Sequence, residues 1–328
     1  MMAVCLFLVP LAYQPVQDAD PGTRARAADV VLEGRSETEL APHGEGNVYA
    51  PEVRREGGRY RMWYGGQGRD GHDRIHLAES EDGTDWIRKG VVLEDPSANH
   101  VNDPSVVRVG GTYYLYYTRA GAGVRDEIAL ATSQDGVRWE RRGVVLRPGP
   151  QGEWDSLLVG RPSVLHEGDR FRMWYDGRKD LPPGPLAEGL PTSADSHRFV
   201  GHATSEDGVV WTKHGDNPVF ARDAGGVDVE RVGGGYLMVY ESHEGTRAAV
   251  SPDGITWRDR GLWVPRSDGE ADRHGHVTPM LLPGEDGGTS SLFVGAASAK
   301  SWDRNRIVRL RVDPDRLIGP QGGSPASP

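Results

Sequence analysis

Cysteine is almost absent: Cys5 stands alone in a chain of 328 residues. An internal disulfide framework and a thiolate metal cluster are therefore excluded, and stability has to come from packing. Long apolar runs are missing too. The stretch from Met1 to Tyr13 is too short to span a bilayer and lacks a basic flank, and no later run approaches transmembrane length. Residues 1–27 read as a signal remnant or a disordered segment, which leaves secreted and cytoplasmic locations equally open. Excess positive charge is also lacking, since the formal net charge is -10. That disfavours nucleic acid as a partner and leaves a carbohydrate or another small molecule. Glycine-rich loops such as "GGQGRDGH" have no strand-to-helix context, so they read as turns rather than phosphate cradles.

What the chain does have is punctuation, with 45 glycines and 23 prolines, and a period. The string S-x-D-G-x-x-W occurs at Ser80–Trp86, Ser133–Trp139, Ser205–Trp211 and Ser251–Trp257. Each copy joins two short alternating runs, and Asp-Gly between such runs is a hairpin signal because the turn needs positive φ. The serine and aspartate are expected to bond their own turn and the tryptophan to pack between units. Upstream of each hairpin a proline-led apolar strand turns into an aromatic one: "RYRMWYGG", "TYYLYYTR", "RFRMWYDG", "GYLMVYES". A fifth, degenerate unit runs through "HVTPMLLPG", "SLFVGAAS" and "RNRIVRLRV" and lacks its outer strand, which "ADVVLEG" near the N-terminus can supply.

The expected fold is therefore all-β: a five-bladed β-propeller over residues 28–313 with four antiparallel strands per blade. Its ring is closed by an N-terminal strand, and residues 314–328 form a disordered tail. In such a ring the starts of the five innermost strands converge on the axis. Aligned on their proline position, they bring together Glu52, Asp103, Arg161, Asp228 with Glu230, and His276. Ionisable groups crowded there are costly unless paired or used. The insertion from Arg178 to His197 should rim the same face, with Trp154 and Asp155 reaching it to stack on or bind a sugar.

These motifs resemble those of the five-bladed propeller glycosidases, the group of arabinofuranosidases, β-xylosidases, arabinanases, invertases and fructanases. "NDP" at Asn102–Pro104 is similar to the motif whose aspartate is base or nucleophile, "APE" at Ala50–Glu52 to one supplying a supporting carboxylate, and "GH" at Gly275–His276 to a fifth-blade histidine near the axis. The resemblance implies a glycoside hydrolase acting on a furanoside or pyranoside through paired carboxylates. Asp103 would be base or nucleophile, Glu230 the general acid with Glu52 its competitor, and Arg161, Asp228, His276, Trp154 and Asp155 would bind substrate. The order of the "NDP" and "APE" motifs is reversed relative to the arabinanase pattern, and Arg161 stands where an acid glutamate is expected. A propeller that binds a glycan or small molecule without cleaving it is the alternative. No cofactor is expected and no metal is indicated by ligand spacing, although the resemblance would place a calcium ion or a water near His276.

Overall fold

The computed structural model describes residues 29–35, 44–121, 124–184, 188–285, 289–297 and 304–318. The N-terminal segment, including Cys5, lies outside the described residues. Apart from one helical turn, α1 (Asp315–Ile318), every regular element is a strand.

After β1 (Asp29–Leu32) come three four-stranded antiparallel meanders. The first is β2 (Asn47–Glu56), β3 (Arg59–Gln67), β4 (Asp73–Ser80) and β5 (Ile87–Leu93); the second is β6 (His100–Val109), β7 (Thr112–Gly121), β8 (Val124–Ser133) and β9 (Glu140–Leu146). The third is β10 (Leu158–Glu167), β11 (Arg170–Arg178), β12 (Phe199–Ser205) and the two-residue β13 (Thr212–Lys213). An eight-stranded sheet follows, made of two four-stranded runs joined by the single pair Ser242 and His276. One run is β14 (Asp228–Val232), β15 (Gly235–Ser242), β16 (Gly245–Ser251) and β17 (Arg258–Pro265). The other is β18 (His276–Leu282), β19 (Ser290–Ala297) and β20 (Asn305–Val312), with β1 antiparallel to β20.

The core lies in the seams between units. Trp63 and Leu77 pack on Leu115 and Tyr117, Tyr116 and Ile128 on Val164 and Met173, Trp174 and Val200 on Val229 and Met238, and Leu237 and Val239 on Leu292 and Val308. A fifth seam puts Met280, Phe293 and Ile307 against Val53, Met62 and Tyr64. Burying side chains of this size contributes roughly 1.5–3 kcal/mol each, so the seams hold the units together. Along the inner face each first strand packs on the next, β2 on β6, β6 on β10, β10 on β14, β14 on β18, and β18 on β2.

The repeated hairpins complete these seams. In the second one, Ser133 Oγ accepts from Gly136 N at 2.9 Å, and Asp135 Oδ1 accepts from Val137 N and Arg138 N at 2.8 Å. Each turn carbonyl is then used by the preceding unit: Trp63 Nε1 donates to Gly136 O at 2.9 Å, Tyr116 OH to Gly208 O at 2.8 Å, and Trp174 Nε1 to Gly254 O at 2.7 Å. Each motif tryptophan meets the same neighbour edge-on: Trp139 on Trp63, Trp211 on Tyr116, Trp257 on Trp174 and Trp86 on Phe293.

One expectation needs correction at the C-terminus. The segment expected to be a disordered tail from 314 begins with α1, and Leu317 packs against the seam around Leu292 and Leu310.

Candidate functional site

Four of the five first strands break their pairing at the same place. The register shifts between Tyr49 and Glu52, Asn102 and Ser105, Gly160 and Ser163, and Val277 and Met280. The residue before each proline sits at positive φ: Ala50 at 50°, Asp103 at 51°, Arg161 at 49° and Thr278 at 42°. Gly226, with φ 57°, holds the equivalent place in the fourth unit. A side chain in this region before proline is strained, at a cost of about 1–3 kcal/mol each, and such bulges re-aim side chains beside functional sites. Proline fits because the bulge leaves its missing N–H without a ladder partner.

The bulge separates residues that proline alignment had merged. Asp103, Arg161 and Thr278 precede their prolines and form one layer. Glu52 and Asp228 belong to the next, with Ser105 and Ser163, and Arg54 and Glu230 lie two residues further along the same face. A small cavity of about 30 Å³ is lined by the strained residues, their prolines, Val227, Glu52, Asp228 and Met280. It has room for about one water, so any larger ligand would have to lie over it, in the mouth.

The deeper layer is a clasp. Its polar side chains accept backbone N–H groups of the next unit: Ser105 from Val164 at 3.0 Å, Ser163 from Val229 at 2.9 Å, Asp228 from Leu281 at 2.8 Å, and Glu52 from Val106. Glu52 also takes Arg54 Nε at 2.9 Å. Burial pushes the Glu52 carboxyl up, against the pull of Arg54. Asp228 rises to about 7, through burial and then the neighbouring Glu52, and burial followed by Asp228 drives Glu230 well above its ordinary value. Glu230 therefore faces Asp228 and Arg54 and does not line the cavity that Asp103 lines.

At the mouth the chemistry differs. Asp103 is 7% exposed, and burial raises its carboxyl to about 6 while Arg161 and the Thr118 hydroxyl pull it back. Arg161 Nη1 donates to Asp176 Oδ2 at 3.3 Å, and Arg198 bridges Asp176 and Glu241. Burial lifts the Asp176 carboxyl, whereas at Glu241 the cations Arg198 and Arg161 outweigh burial and hold the carboxyl down. Thr118 Oγ1 accepts Arg161 N at 2.8 Å, and Glu241 Oε2 accepts Thr278 N at 2.9 Å, so these two equivalent residues each brace a strained position. Arg178, further out on the strand that carries Asp176, makes no ion pair among the described residues, and its buried Nε has no hydrogen-bond partner.

Asp176, Glu241 and Thr118 escape an analysis centred on the first strands, yet a signal exists. In the aromatic strands the residue after Tyr64, Tyr117, Tyr175, Tyr240 and Val294 is Gly65, Thr118, Asp176, Glu241 and Gly295, two acids where an apolar strand has no need of one.

Three sequence-derived candidates lie elsewhere. His276 is fully buried, with Nδ1 on Thr246 Oγ1 at 2.8 Å and Nε2 on Asp272 Oδ2 at 3.1 Å. Both ring nitrogens are used, so it offers none to an axial ion, and no group of three or more candidate metal ligands occurs among the described residues. Trp154 stacks on Tyr175 at 5.8 Å and packs into the seam between the second and third units, instead of reaching the rim. Asp155 is buried beneath it and takes Lys213 Nζ at 2.6 Å. The insertion leaves from the mouth end of β11 as expected and is pinned by a bridge between Leu181 and Thr192. A larger groove of about 660 Å³ opens on the flank of the second unit. Its arginines, Arg119, Arg141, Arg142 and Arg147, already face Asp95, Glu127 or Glu140, and none of the strained residues reaches it.

No family model matches the chain. An uncharacterised protein of Mycobacterium tuberculosis is 37% identical over 141 residues, 39% of this chain and 45% of that protein. A 1,2-beta-oligomannan phosphorylase of Thermoanaerobacter is 32% identical over 129 residues, 34% and 44% of the two chains. A probable arabinan endo-1,5-alpha-L-arabinosidase B of Aspergillus oryzae is 28% identical over 179 residues, 48% and 49%. The matched region spans less than half the length of each of these relatives. Among solved structures, a glycoside hydrolase superposes with a TM-score of 0.66 at 19% identity, covering 90% of this chain and 95% of the other. A structure from the GH130 family of mannoside phosphorylases, which contains glycoside hydrolases that target beta-1,2 mannosidic linkages in Candida mannan, gives 0.63 at 15%, covering 89% and 95%. The fold is similar to that of these glycoside-hydrolase structures.

Proposed function

We propose that this protein is a glycoside hydrolase: a five-bladed propeller, its ring closed by β1 on β20, that cleaves a furanoside or pyranoside held over the mouth of the axial channel. Asp103 carries the reading. It is held at a strained backbone position that three neighbouring strands reproduce, and it lines the axial cavity. Glu52, Asp228 and Glu241 each brace the backbone of an adjacent unit, and Asp176 is the ion-pair partner of Arg161 and Arg198; Asp103 makes no ion pair among the described residues and braces no backbone, and Arg161 acts on it only through space. With its carboxyl near 6 it can lose and regain a proton close to neutral pH, as a general base must.

The test is a panel of nitrophenyl arabinofuranoside, xyloside and galactoside, with fructan and β-1,2-mannosides, run on the wild type, Asp103→Asn and Glu230→Gln. Asp103→Asn should abolish turnover with the fold intact, and Glu230→Gln should retain it. Full activity in Asp103→Asn would refute the assignment. Saturable sugar binding with no product from the wild type would instead identify a non-catalytic binding propeller.

A second reading has inorganic phosphate replacing water as the attacking group. Arg178 favours it, lying near Arg161 and Arg198 with no ion pair among the described residues and its buried Nε without a hydrogen-bond partner, and one relative is named as a phosphorylase. Sugar 1-phosphate released only when phosphate is supplied would select this reading; phosphate-independent turnover would select hydrolysis.

A further inference from the structure

Hydrolysis over Asp103 needs a proton donor for the departing oxygen, and the glutamates expected to provide one lie in or below the clasp. The geometry points to His100, positioned by Asp73, as the residue that donates this proton; the role rests on the hydrolytic reading above.

His100 opens β6, three residues before Asp103. Its Nδ1 meets Asp73 Oδ2 in a short contact, and Asp73, at the head of β4, is itself fixed by its backbone N–H on Asn99 O at 2.9 Å. The other side of the ring rests on bare backbone. A Cβ at Gly121, where φ is +79°, would come within 1.5 Å of Asn99 Oδ1 and 2.8 Å of His100 Cδ2, so glycine there leaves room for both side chains. Below it Asn102 Nδ2 donates to Tyr49 OH at 3.0 Å and walls off the seam between the first two units. The ring is thus clamped at Nδ1 and along its edge, while Nε2 has no partner among the described residues and 37% of the side chain is exposed.

The charged groups that act on the ring are Asp73 on β4, Asp126 on β8 and Asp103 on its own strand. All are acidic, with Asp73 the largest influence, and together they raise the imidazole's affinity for a proton. Acid and base thus fall in the order that acid–base catalysis requires, Asp103 the more easily ionised and His100 the more easily protonated. In the step, Asp103 removes a proton from water as the water oxygen attacks the anomeric carbon. The bond from that carbon to the leaving oxygen breaks, its electron pair stays on the oxygen, and the oxygen takes the Nε2 proton and departs as an alcohol. His100 then regains a proton from solvent and Asp103 returns its own, so the net change is one water across one glycosidic bond.

Two substrates with the same reacting sugar test this, one releasing nitrophenol and one releasing a sugar or alkyl alcohol. A good leaving group needs little protonation. His100→Asn should therefore lower kcat about 100-fold or more on the alcohol substrate and less than about 10-fold on the nitrophenyl one, a split that a structural role would not produce. In Asp73→Asn the alkaline limb of the pH–rate profile should move to lower pH, which decides the matter if His100→Asn is poorly folded. Equal losses on both substrates, or an unmoved alkaline limb, overturn the role. An active wild type with unaffected His100 and Asp73 variants sinks this assignment alone, whereas a wild type inactive on every substrate removes the hydrolytic reading and this role together.

Discussion

Arg161 and Asp176 form an ion pair across the first two strands of the third unit, Nη1 to Oδ2 at 3.3 Å, with the carboxylate wholly out of solvent. The arginine that stands where the resemblance noted above leads one to expect a glutamate is thus the counter-charge for a buried aspartate, and it lines the same cavity as Asp103. Its Nη1 is tied to the second strand while its backbone N–H is braced by Thr118 of the second unit.

Removing one partner should be far worse than removing both. Arg161→Met leaves the buried Asp176 with only Arg198, 4.0 Å away and shared with Glu241, and should cost about 3 kcal/mol in urea unfolding; a double variant with Asp176→Leu should recover most of it. Arg161 also opposes burial at Asp103, so any activity left in Arg161→Met should show its acid limb displaced upward.

The clasp predicts a pH dependence of stability. Asp228 is raised from 3.8 to about 7, and Glu230 is raised well above its ordinary value. A folded-state value above the unfolded one favours folding while the group is protonated, and that contribution disappears as pH rises through the folded value. Between about pH 4 and 7 the wild type should lose stability relative to Asp228→Asn, whose amide keeps both hydrogen-bonding directions. Denaturant midpoints at pH 5, 6, 7 and 8 give the comparison; parallel curves would mean that Asp228 does not titrate there.

The hairpins at the far end of the strands should govern stability without touching catalysis. Trp63→Phe loses the 2.9 Å bond to Gly136 O and part of a buried ring. It should cost about 2 kcal/mol or more, with activity per folded molecule unchanged.

Trp154 gives a sharper contrast between the rim and the seam. Its place against Tyr175 predicts that Trp154→Ala lowers the melting temperature by several degrees while KM stays at the wild-type value. A raised KM at unchanged stability would return it to the substrate.

The four-stranded unit was legible because each copy repeats its own turn chemistry. Asp82, Asp135, Asp207 and Asp253 accept the same two backbone N–H bonds in the same hairpin, and that pattern needs only local sequence. The candidate site was half legible. Asp103 and Arg161, which precede their prolines, line one cavity, but Glu52 follows its proline, and a bulge of one residue moves it from the mouth to the clasp. His276 was misplaced for a similar reason: it begins its strand two residues before the strained Thr278, on the far side of the bulge from Met280, and is enclosed by Thr246 and Asp272.

The amino-acid sequence by itself determined the strands, their turns and the aromatic faces that seal one unit to the next, since period, glycine at positive φ and apolar alternation act over a few residues. Only the tertiary structure decided which acids meet which cations. Asp176 finds Arg161 and Arg198, Glu241 finds Arg198, and Asp73 finds His100. The physical reason is that a carboxylate's charge and proton affinity are set by burial and by neighbours a few ångströms away, and among packed repeats those neighbours come from other strands of the chain.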